Sequence, residues 1–351
     1  MSAISRAALL LLACFALIPL DAAAWDRGRV ERFATLPEGA PNPEGITADG
    51  RGNIYVTGFN PFAAPPGKPA PPGKLFVFDD DGDLARDLNV SGSSPALLGL
   101  AFHPTNRLAN GHRQLLVIDF GAGNVLSVDP ETGASTVFAS ILGGGLNALT
   151  FDSKGNVYIS DSFRGVIWRT PPGGGSAVAW AADDLLKPNG FPPFGANGVD
   201  FNHDESALFV ANTANDSIIR IPVLATGAAG KAEVFTNSIN GADGLFLDQH
   251  DNVWVCANQS DEIVVTDKTG KAIAKLGDFD GVRDHSPVGL LFPASLVRHG
   301  DWIYITNLSL DLRSVVPTGE QSVDSQWAAK VKTHTISRIR FRIPGNDRDA
   351  D

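Results

Sequence analysis

The chain has 351 residues, a formal net charge of −11 and a hydrophobic fraction of 43%. The acidic balance argues against nucleic acid and anionic lipid as partners, because both need a basic protein face. With 37 Gly and 23 Pro between short apolar segments, and almost no helical periodicity, the composition is typical of a turn-rich β-protein.

The first residues predict a signal peptide. An apolar run follows Arg6, and Ala22 and Ala24 supply the small side chains of a cleavage site. The run is too short for a relaxed membrane span. We therefore predict a signal peptide over residues 1–24 and a single mature domain over residues 25–351. That domain is expected to be periplasmic or secreted, monomeric and free of the membrane.

Cysteine usage limits the covalent options. A lipoprotein signal at Cys14 is the alternative to simple cleavage, but the residues after Cys14 are still apolar. Loss of the leader leaves Cys256 as the single cysteine, which excludes an internal disulfide. Cys256 lies in an apolar segment and is interpreted as a buried small hydrophobic side chain.

A repeat of about fifty residues runs along the chain. Each copy contains an apolar strand, a polar turn and a second strand. Six copies begin at the following phased residues: Glu44, Leu98, Asn147, Asn197, Asp243 and Ala294. Their spacing of 46 to 54 residues fits one four-stranded propeller blade.

The repeat predicts an all-β fold, a six-bladed β-propeller of four-stranded blades. The last copy has three strands, the third predicted over 333–343, and residues 29–36 form a strand before the first copy. We predict that this N-terminal strand completes the last blade and closes the ring, which removes an exposed sheet edge. Two stacked β-sandwiches are the alternative, but they do not account for the period.

Residues at one phase of the repeat converge on the central axis, because the innermost strand of each blade lines the channel. Four phased residues carry oxygen donors: Glu44, Asn147, Asn197 and Asp243. Carboxylate and amide oxygens together favour Ca²⁺, with Mg²⁺, Mn²⁺ or Zn²⁺ as alternatives. A cation would also relieve the repulsion between the two carboxylates. The competing interpretation is that the Asn-Gly and Asp-Gly pairs simply form turns.

The four donors resemble, in kind, order and spacing, the metal ligands of the SMP-30/gluconolactonase/LRE-like family of calcium-dependent propeller lactonases. The motifs are Glu44-Gly45, Asn147, Asn197-Gly198 and Asp243-Gly244. The resemblance covers nearly the whole mature chain and extends more distantly to paraoxonase and diisopropyl-fluorophosphatase. It implies a metal in the central tunnel and a lactonase or esterase activity with Asp243 as the catalytic base. Two positions depart from these families: Gly145 replaces a frequent Arg of the lactonases, and Leu98 replaces the catalytic His of the paraoxonases.

Long segments at the predicted mouth of the tunnel supply candidates for substrate contact. They cover residues 59–73, 185–194 and 308–332. Four of their apolar side chains are assigned to substrate binding: Phe59, Phe194, Leu308 and Trp327. These side chains favour a small-molecule substrate with a hydrophobic part, although plain loop packing explains any one of them equally well.

Two other functions compete with a hydrolase. A non-catalytic NHL-like propeller would bind a protein or glycan and hold the metal as a structural ion. A propeller similar to strictosidine synthase would act without metal, but its catalytic Glu does not coincide with the phased residues. The phased carboxylates favour the hydrolase, because a structural plug could be apolar.

Overall fold

A computed structural model describes residues 26–60, 69–314 and 324–344. The predicted signal peptide lies outside these residues. Within them, helical structure is confined to two 3-10 turns, Asp184–Leu186 and Leu312–Ser314, and one α-helix, α1, Ser325–Ala328. No helix in this part of the chain is long and apolar enough to cross a membrane.

Six antiparallel sheets of four strands each form a ring, which confirms the predicted six-bladed β-propeller. An N-terminal strand, β1 (Glu31–Thr35), precedes the first blade. The strands of the first three blades follow in chain order: β2 (Asn42–Ala48), β3 (Ile54–Phe59), β4 (Lys74–Phe78) and β5 (Leu84–Asn89); β6 (Leu97–Arg107), β7 (Arg113–Asp119), β8 (Asn124–Val128) and β9 (Ser135–Ser140); β10 (Leu146–Phe151), β11 (Val157–Asp161), β12 (Val166–Thr170) and β13 (Val178–Ala182).

The second half of the ring repeats the pattern with one insertion. Its strands are β14 (Ala196–Phe201), β15 (Ala207–Asn212), β16 (Ser217–Pro222) and β17 (Glu233–Asn237); β18 (Ala242–Leu247), β19 (Val253–Ala257), β20 (Glu262–Thr266) and β21 (Ala272–Leu276); the inserted hairpin β22 (Phe279–Arg283) and β23 (Ser286–Gly289); and β24 (Pro293–His299), β25 (Trp302–Asn307) and β26 (Thr335–Arg340). The hairpin between blades five and six was not predicted from the repeat.

Ring closure follows the prediction. Strand β1 pairs antiparallel with β26, and the last sheet has the order β1-β26-β25-β24. Each innermost strand contacts the innermost strands of both neighbouring blades, and β24 contacts β2. The N-terminal strand therefore completes the last blade and leaves no open edge at the seam.

Blades one, three and five share the same turn between their first and second strands, at the end of the hairpin that lies away from the phased residues. In blade five, Asp248 accepts hydrogen bonds through Oδ2 from Asn252 Nδ2 and Trp254 Nε1, both at 2.9 Å. The same arrangement recurs in blade one with Asp49, Asn53 and Tyr55, and in blade three with Asp152, Asn156 and Tyr158. These polar bonds let the large aromatic side chain be buried between blades without leaving its polar atom unsatisfied.

Candidate metal centre

Every innermost strand carries a β-bulge at its phased residue. In blade four, Ala196 pairs with Asn212 and Val199 with Val210, so Asn197 and Gly198 oppose a single residue of β15. The register shifts at the corresponding place in the other five blades. A bulge bends a strand and redirects a side chain. Six bulges in phase therefore turn the side chains of the phased residues towards the same end of the channel.

The glycine after a phased donor serves the packing of neighbouring blades. Gly45 and Gly198 lie inside strands β2 and β14, and a Cβ on either would overlap the carbonyl oxygen of Leu98 or Asp243 on the next blade. The inner strands can approach each other only because these positions lack a side chain. The Asn197-Gly198 and Asp243-Gly244 pairs therefore lie within strands and not in turns.

The four donors meet at the floor of one cavity. Glu44 is 4% exposed, and Asn147, Asn197 and Asp243 are each 5% exposed. Glu44 Oε2 and Asp243 Oδ1 are buried without a hydrogen-bond partner, a costly arrangement that a cation would offset. No cluster of three or more His, Cys, Asp and Glu suited to a metal occurs in the described residues. This centre therefore depends on the two amides beside its two carboxylates.

The electrostatics of the pair agree with a cation site. Burial raises the pKa of Glu44 well above its usual range, and the charge of Asp243 raises that pKa further. Burial likewise raises the pKa of Asp243 to about 7, against the lowering effect of hydrogen bonds from Asn258, Asn197 and the Gly244 backbone. Two buried carboxylates that resist ionisation together are stabilised as anions when a divalent ion lies between them.

Neighbouring hydroxyl groups orient the amides. Asn197 Nδ2 donates to Thr213 Oγ1 at 3.0 Å, and Asn147 Nδ2 makes a longer contact of 3.4 Å with Ser162 Oγ. Each amide nitrogen is thereby occupied by the protein, so the amide oxygen remains available to a ligand in the cavity. On the carboxylate side, Asn258 Nδ2 donates to Asp243 Oδ2 at 2.7 Å, which holds that carboxylate in place.

The same hydroxyl groups bridge the blades. Thr213 Oγ1 donates to Ala242 O at 2.7 Å, so one side chain orients Asn197 and joins blade four to blade five. The equivalent bond in blade three runs from Ser162 to Ala196 O. Two residues earlier in the repeat, Thr57 and Thr306 bridge to the carbonyls of the phased residues Leu98 and Glu44. The Ser or Thr near the end of the second strand in these copies was the sequence signal for them, and our sequence analysis missed it.

Replacing Thr213 by Val is expected to destabilise the protein by about 1–3 kcal/mol, because it leaves the Ala242 carbonyl and the Asn197 amide without their partner. Urea unfolding measures the loss. The matched control is Thr170→Val, since Thr170 is 1% exposed and its hydroxyl has no hydrogen-bond partner. Equal losses in the two variants would show that the hydroxyl bridge contributes nothing.

The cavity above the donors holds about 460 Å³, counting the part open to solvent. Three of the four residues predicted to bind substrate line it: Phe59, Phe194 and Leu308. Lining residues that were not predicted for this role include Phe120, Thr213, Asn258 and Phe292. Phe120 and Asn258 occupy the repeat position of Phe59 and Leu308 in their own blades, so the phase that located the metal ligands could also have located them.

Trp327 is not brought to this cavity. Its ring packs against Phe279 of the inserted hairpin with centroids 5.6 Å apart, and Lys330 Nζ lies 4.1 Å from its centroid. The backbone of Lys332 also bonds to His285 O at the turn of the same hairpin. Because the sequence did not reveal the hairpin, it could not show that this segment had a packing partner of its own.

Two other residues are accounted for by structure. Cys256 is fully buried opposite the bulge that carries Asp243, and burial raises the pKa of its thiol well above the usual range, with further contributions from Asp243 and Glu44. Its interpretation as a buried hydrophobic side chain is consistent with this placement. His103 bonds through Nε2 to Gly155 O at 3.1 Å and does not line the cavity.

Comparison with solved structures gives the same fold at low sequence identity. A provisionally assigned gluconolactonase is 16% identical, with 90% of this chain and 92% of that chain covered and a TM-score of 0.59. A luciferin-regenerating enzyme is 13% identical over 89% and 95% of the two chains, with a TM-score of 0.61. Regucalcin from Agrobacterium tumefaciens, described as a calcium-binding protein, is 18% identical over 88% and 94%, with a TM-score of 0.57.

Comparison of sequences matches one protein family. No functionally curated protein matches the chain. The family described as the SMP-30/gluconolactonase/LRE-like region matches residues 108–277, which run from the second strand of blade two to the end of blade five and include three of the four donors. This match confirms the resemblance that the phased residues indicated. The chain therefore contains an SMP-30/gluconolactonase/LRE-like region within a six-bladed β-propeller.

Proposed function

We propose that this protein is a metal-dependent hydrolase that acts on a lactone or related ester. The observation that carries the proposal is the pair of unpartnered carboxylate oxygens, Glu44 Oε2 and Asp243 Oδ1, beneath an open cavity. A structural role alone does not require such a pair to line a cavity that opens to solvent. The SMP-30/gluconolactonase/LRE-like region supports the same proposal.

Glu44, Asn147, Asn197 and Asp243 would hold the metal, and their hard oxygen donors make calcium the first candidate. When bound, the ion would supply Lewis-acid polarisation of the substrate carbonyl. The chain itself positions the donors: bulges direct them, hydroxyl groups fix the amides, and Asn258 fixes Asp243.

Asp243 is the proposed base. Its carboxylate lines the cavity with Oδ1 free of any hydrogen-bond partner, so it can accept a proton from a water molecule held there. Water adds to the acyl carbon while its proton passes to Asp243, the bond from the acyl carbon to the ester oxygen breaks, and the proton passes to that oxygen. The products are a carboxylic acid and an alcohol, joined in one hydroxy acid when the substrate is a lactone.

Replacing Asp243 by Asn is expected to lower kcat by a factor of about 10² to 10⁴, because the amide cannot accept the proton. The assay is hydrolysis of a lactone and an aryl ester by purified protein, before and after chelation and after calcium is restored. Circular dichroism checks that the fold is kept. The control is Asp301→Asn, the same change at a side chain that is 86% exposed.

The outcomes separate the hydrolase from the NHL-like alternative. Activity that is lost with chelator, regained with calcium and absent in Asp243→Asn supports the proposal. Full activity in the variant contradicts the role of Asp243. Stoichiometric calcium without turnover of any ester would instead favour a binding module with a structural ion.

A further inference from the structure

The cavity has a polar floor and an apolar wall. The floor consists of the four donors with Thr213 and Asn258, while the wall is formed chiefly by Phe59, Phe120, Phe194, Leu308, Leu310 and Leu312. At one repeat position the blades divide between the two surfaces, with Phe59, Phe120 and Leu308 on one side and Thr213 and Asn258 on the other. A ligand held over the floor therefore has one flank against hydrocarbon.

The apolar wall continues outward from the cavity. Phe120 lies at its centre, with ring centroids 5.9 Å from Phe59, 5.6 Å from Phe163 and 6.5 Å from Phe194. Phe163 also lies 5.9 Å from Phe194 and is 51% exposed. The four rings form a continuous aromatic surface from the cavity to solvent, and contiguous exposed apolar surface often marks a binding site.

The position of Phe163 is built into the turn that carries it. Asp161 is fully buried, and its Oδ1 accepts hydrogen bonds from the backbone of Phe163 at 3.2 Å and of Gly145 at 3.0 Å. The ring lies over Gly145, where an added Cβ would come within 2.6 Å of it. A polar side chain therefore cannot reach the cavity from position 145 while the ring stays in place.

The charges and the apolar wall of the cavity disfavour anionic and hydroxyl-rich substrates. Among the described residues that line it there is no Lys, Arg or His, and its two ionisable side chains are the carboxylates of Glu44 and Asp243. The nearby Arg164 is held by Leu142 O at 2.8 Å and Asp161 Oδ2 at 3.6 Å. An anionic substrate finds no cation of the chain here, and hydroxyl groups set against the aromatic wall would lose water without gaining partners.

From this arrangement we infer that the substrate is a lactone or ester bearing an alkyl or aryl chain, which lies along Phe59, Phe120, Phe194 and Phe163 while the carbonyl meets the floor. The inference rests on the proposed hydrolase function and specifies its substrate class. Phe163 is the residue that extends the chain site beyond the cavity, so it determines how long a chain gains from binding.

The test is a series of γ-lactones whose 5-alkyl group grows from methyl to octyl, compared with glucono-1,5-lactone in the presence of calcium. We expect kcat/KM to rise about fourfold per methylene, as burial of hydrocarbon predicts, and glucono-1,5-lactone to be the poorest substrate. In Phe163→Ala the ratio of kcat/KM for octyl to that for methyl falls about tenfold. Phe235→Ala, a truncation of a half-buried ring in blade four, keeps the ratio.

A second measurement does not depend on turnover. Calorimetry with the matching 5-alkyl γ-lactams, which resist hydrolysis, should give affinities that increase with chain length in the wild type and less steeply in Phe163→Ala. Binding of this kind without hydrolysis of any lactone would support the chain site and refute the hydrolase. Hydrolysis that is independent of chain length, or fastest for glucono-1,5-lactone, would overturn the chain site and leave the hydrolase standing.

Discussion

Replacing Glu44 by Gln is expected to raise the Tm of the metal-free protein and to abolish the further rise that calcium produces in the wild type. Most substitutions of buried residues destabilise a protein. Here the amide keeps the shape of the side chain but removes a buried charge that faces Asp243. The gain in stability should be about 1–3 kcal/mol at pH 8, the order of cost of an unsatisfied buried polar group.

The higher Tm without metal and the loss of the calcium-dependent rise in Tm have separate causes. Calcium at a hundred times its Kd stabilises the wild type by about 2.7 kcal/mol through mass action, and Glu44→Gln loses this term because one ligand charge is missing. Calorimetric scans with chelator and with calcium measure both effects. Glu38→Gln, the same change on an exposed side chain, should alter neither. A full calcium-dependent rise in Tm in Glu44→Gln would show that Glu44 does not bind the metal.

Replacing Asp324 by Asn is expected to stabilise the protein above pH 8 and to have little effect at pH 5. Asp324 and Asp261 are 5% and 8% exposed, and Asp324 Oδ2 has no hydrogen-bond partner. Burial, then the charge of Asp324, raise the pKa of Asp261 to about 8, against the hydrogen bond from Phe292 N. Burial also raises the pKa of Asp324. Glu262 adds a third negative charge on the side of Asp261.

The direction of the pH dependence follows from proton linkage. The folded protein holds a proton on this pair that the unfolded chain releases above the ordinary Asp pKa of 3.8. The stabilisation by the pair is therefore fully present below pH 3.8 and decreases as pH rises towards 8. An Asn at 324 can donate a hydrogen bond to Asp261 without holding a titratable proton. The variant should thus have a flatter profile and exceed the wild type by about 1–3 kcal/mol at pH 9.

Urea unfolding between pH 5 and 9 checks this prediction. The contributions of Glu44 and Asp243 are common to both proteins and cancel in the difference, because those residues do not contact Asp324. Asp280→Asn, at an exposed position of the inserted hairpin, controls for the loss of one negative charge. Parallel profiles for the wild type and Asp324→Asn would show that the two carboxylates do not share a proton.

The repeat predicted those features that follow from the same position recurring in each blade, namely the set of proposed metal ligands and the closure of the ring. Glu44, Asn147, Asn197 and Asp243 could be brought together because each stands at the same place in an inner strand, and blade geometry then fixes its direction. Closure by the N-terminal strand was predictable for the same reason, since one blade lacked a strand and one strand lacked a blade.

The remaining features depend on contacts that the period does not encode. Trp327 and Phe194 are both aromatic side chains in long connections, yet Phe194 lines the cavity and Trp327 packs on an inserted hairpin that no repeat copy contains. Phe163 was missed because its importance comes from lying over Gly145, a residue 18 positions away in the sequence. Tertiary packing decided these cases, and local pattern was silent about it.

The ring is closed by the pairing of β1 with β26, two strands from opposite ends of the described chain that lie in the same sheet. Arg338 donates a hydrogen bond to Glu31 across 307 positions of sequence, and β1 has no strand partner until β26 has been synthesised. A nascent chain that ends before β26 forms an unclosed ring with unpaired strand edges, to which other chains can bind. Synthesis of β26, rather than completion of any earlier blade, is therefore the event that closes the ring against such association.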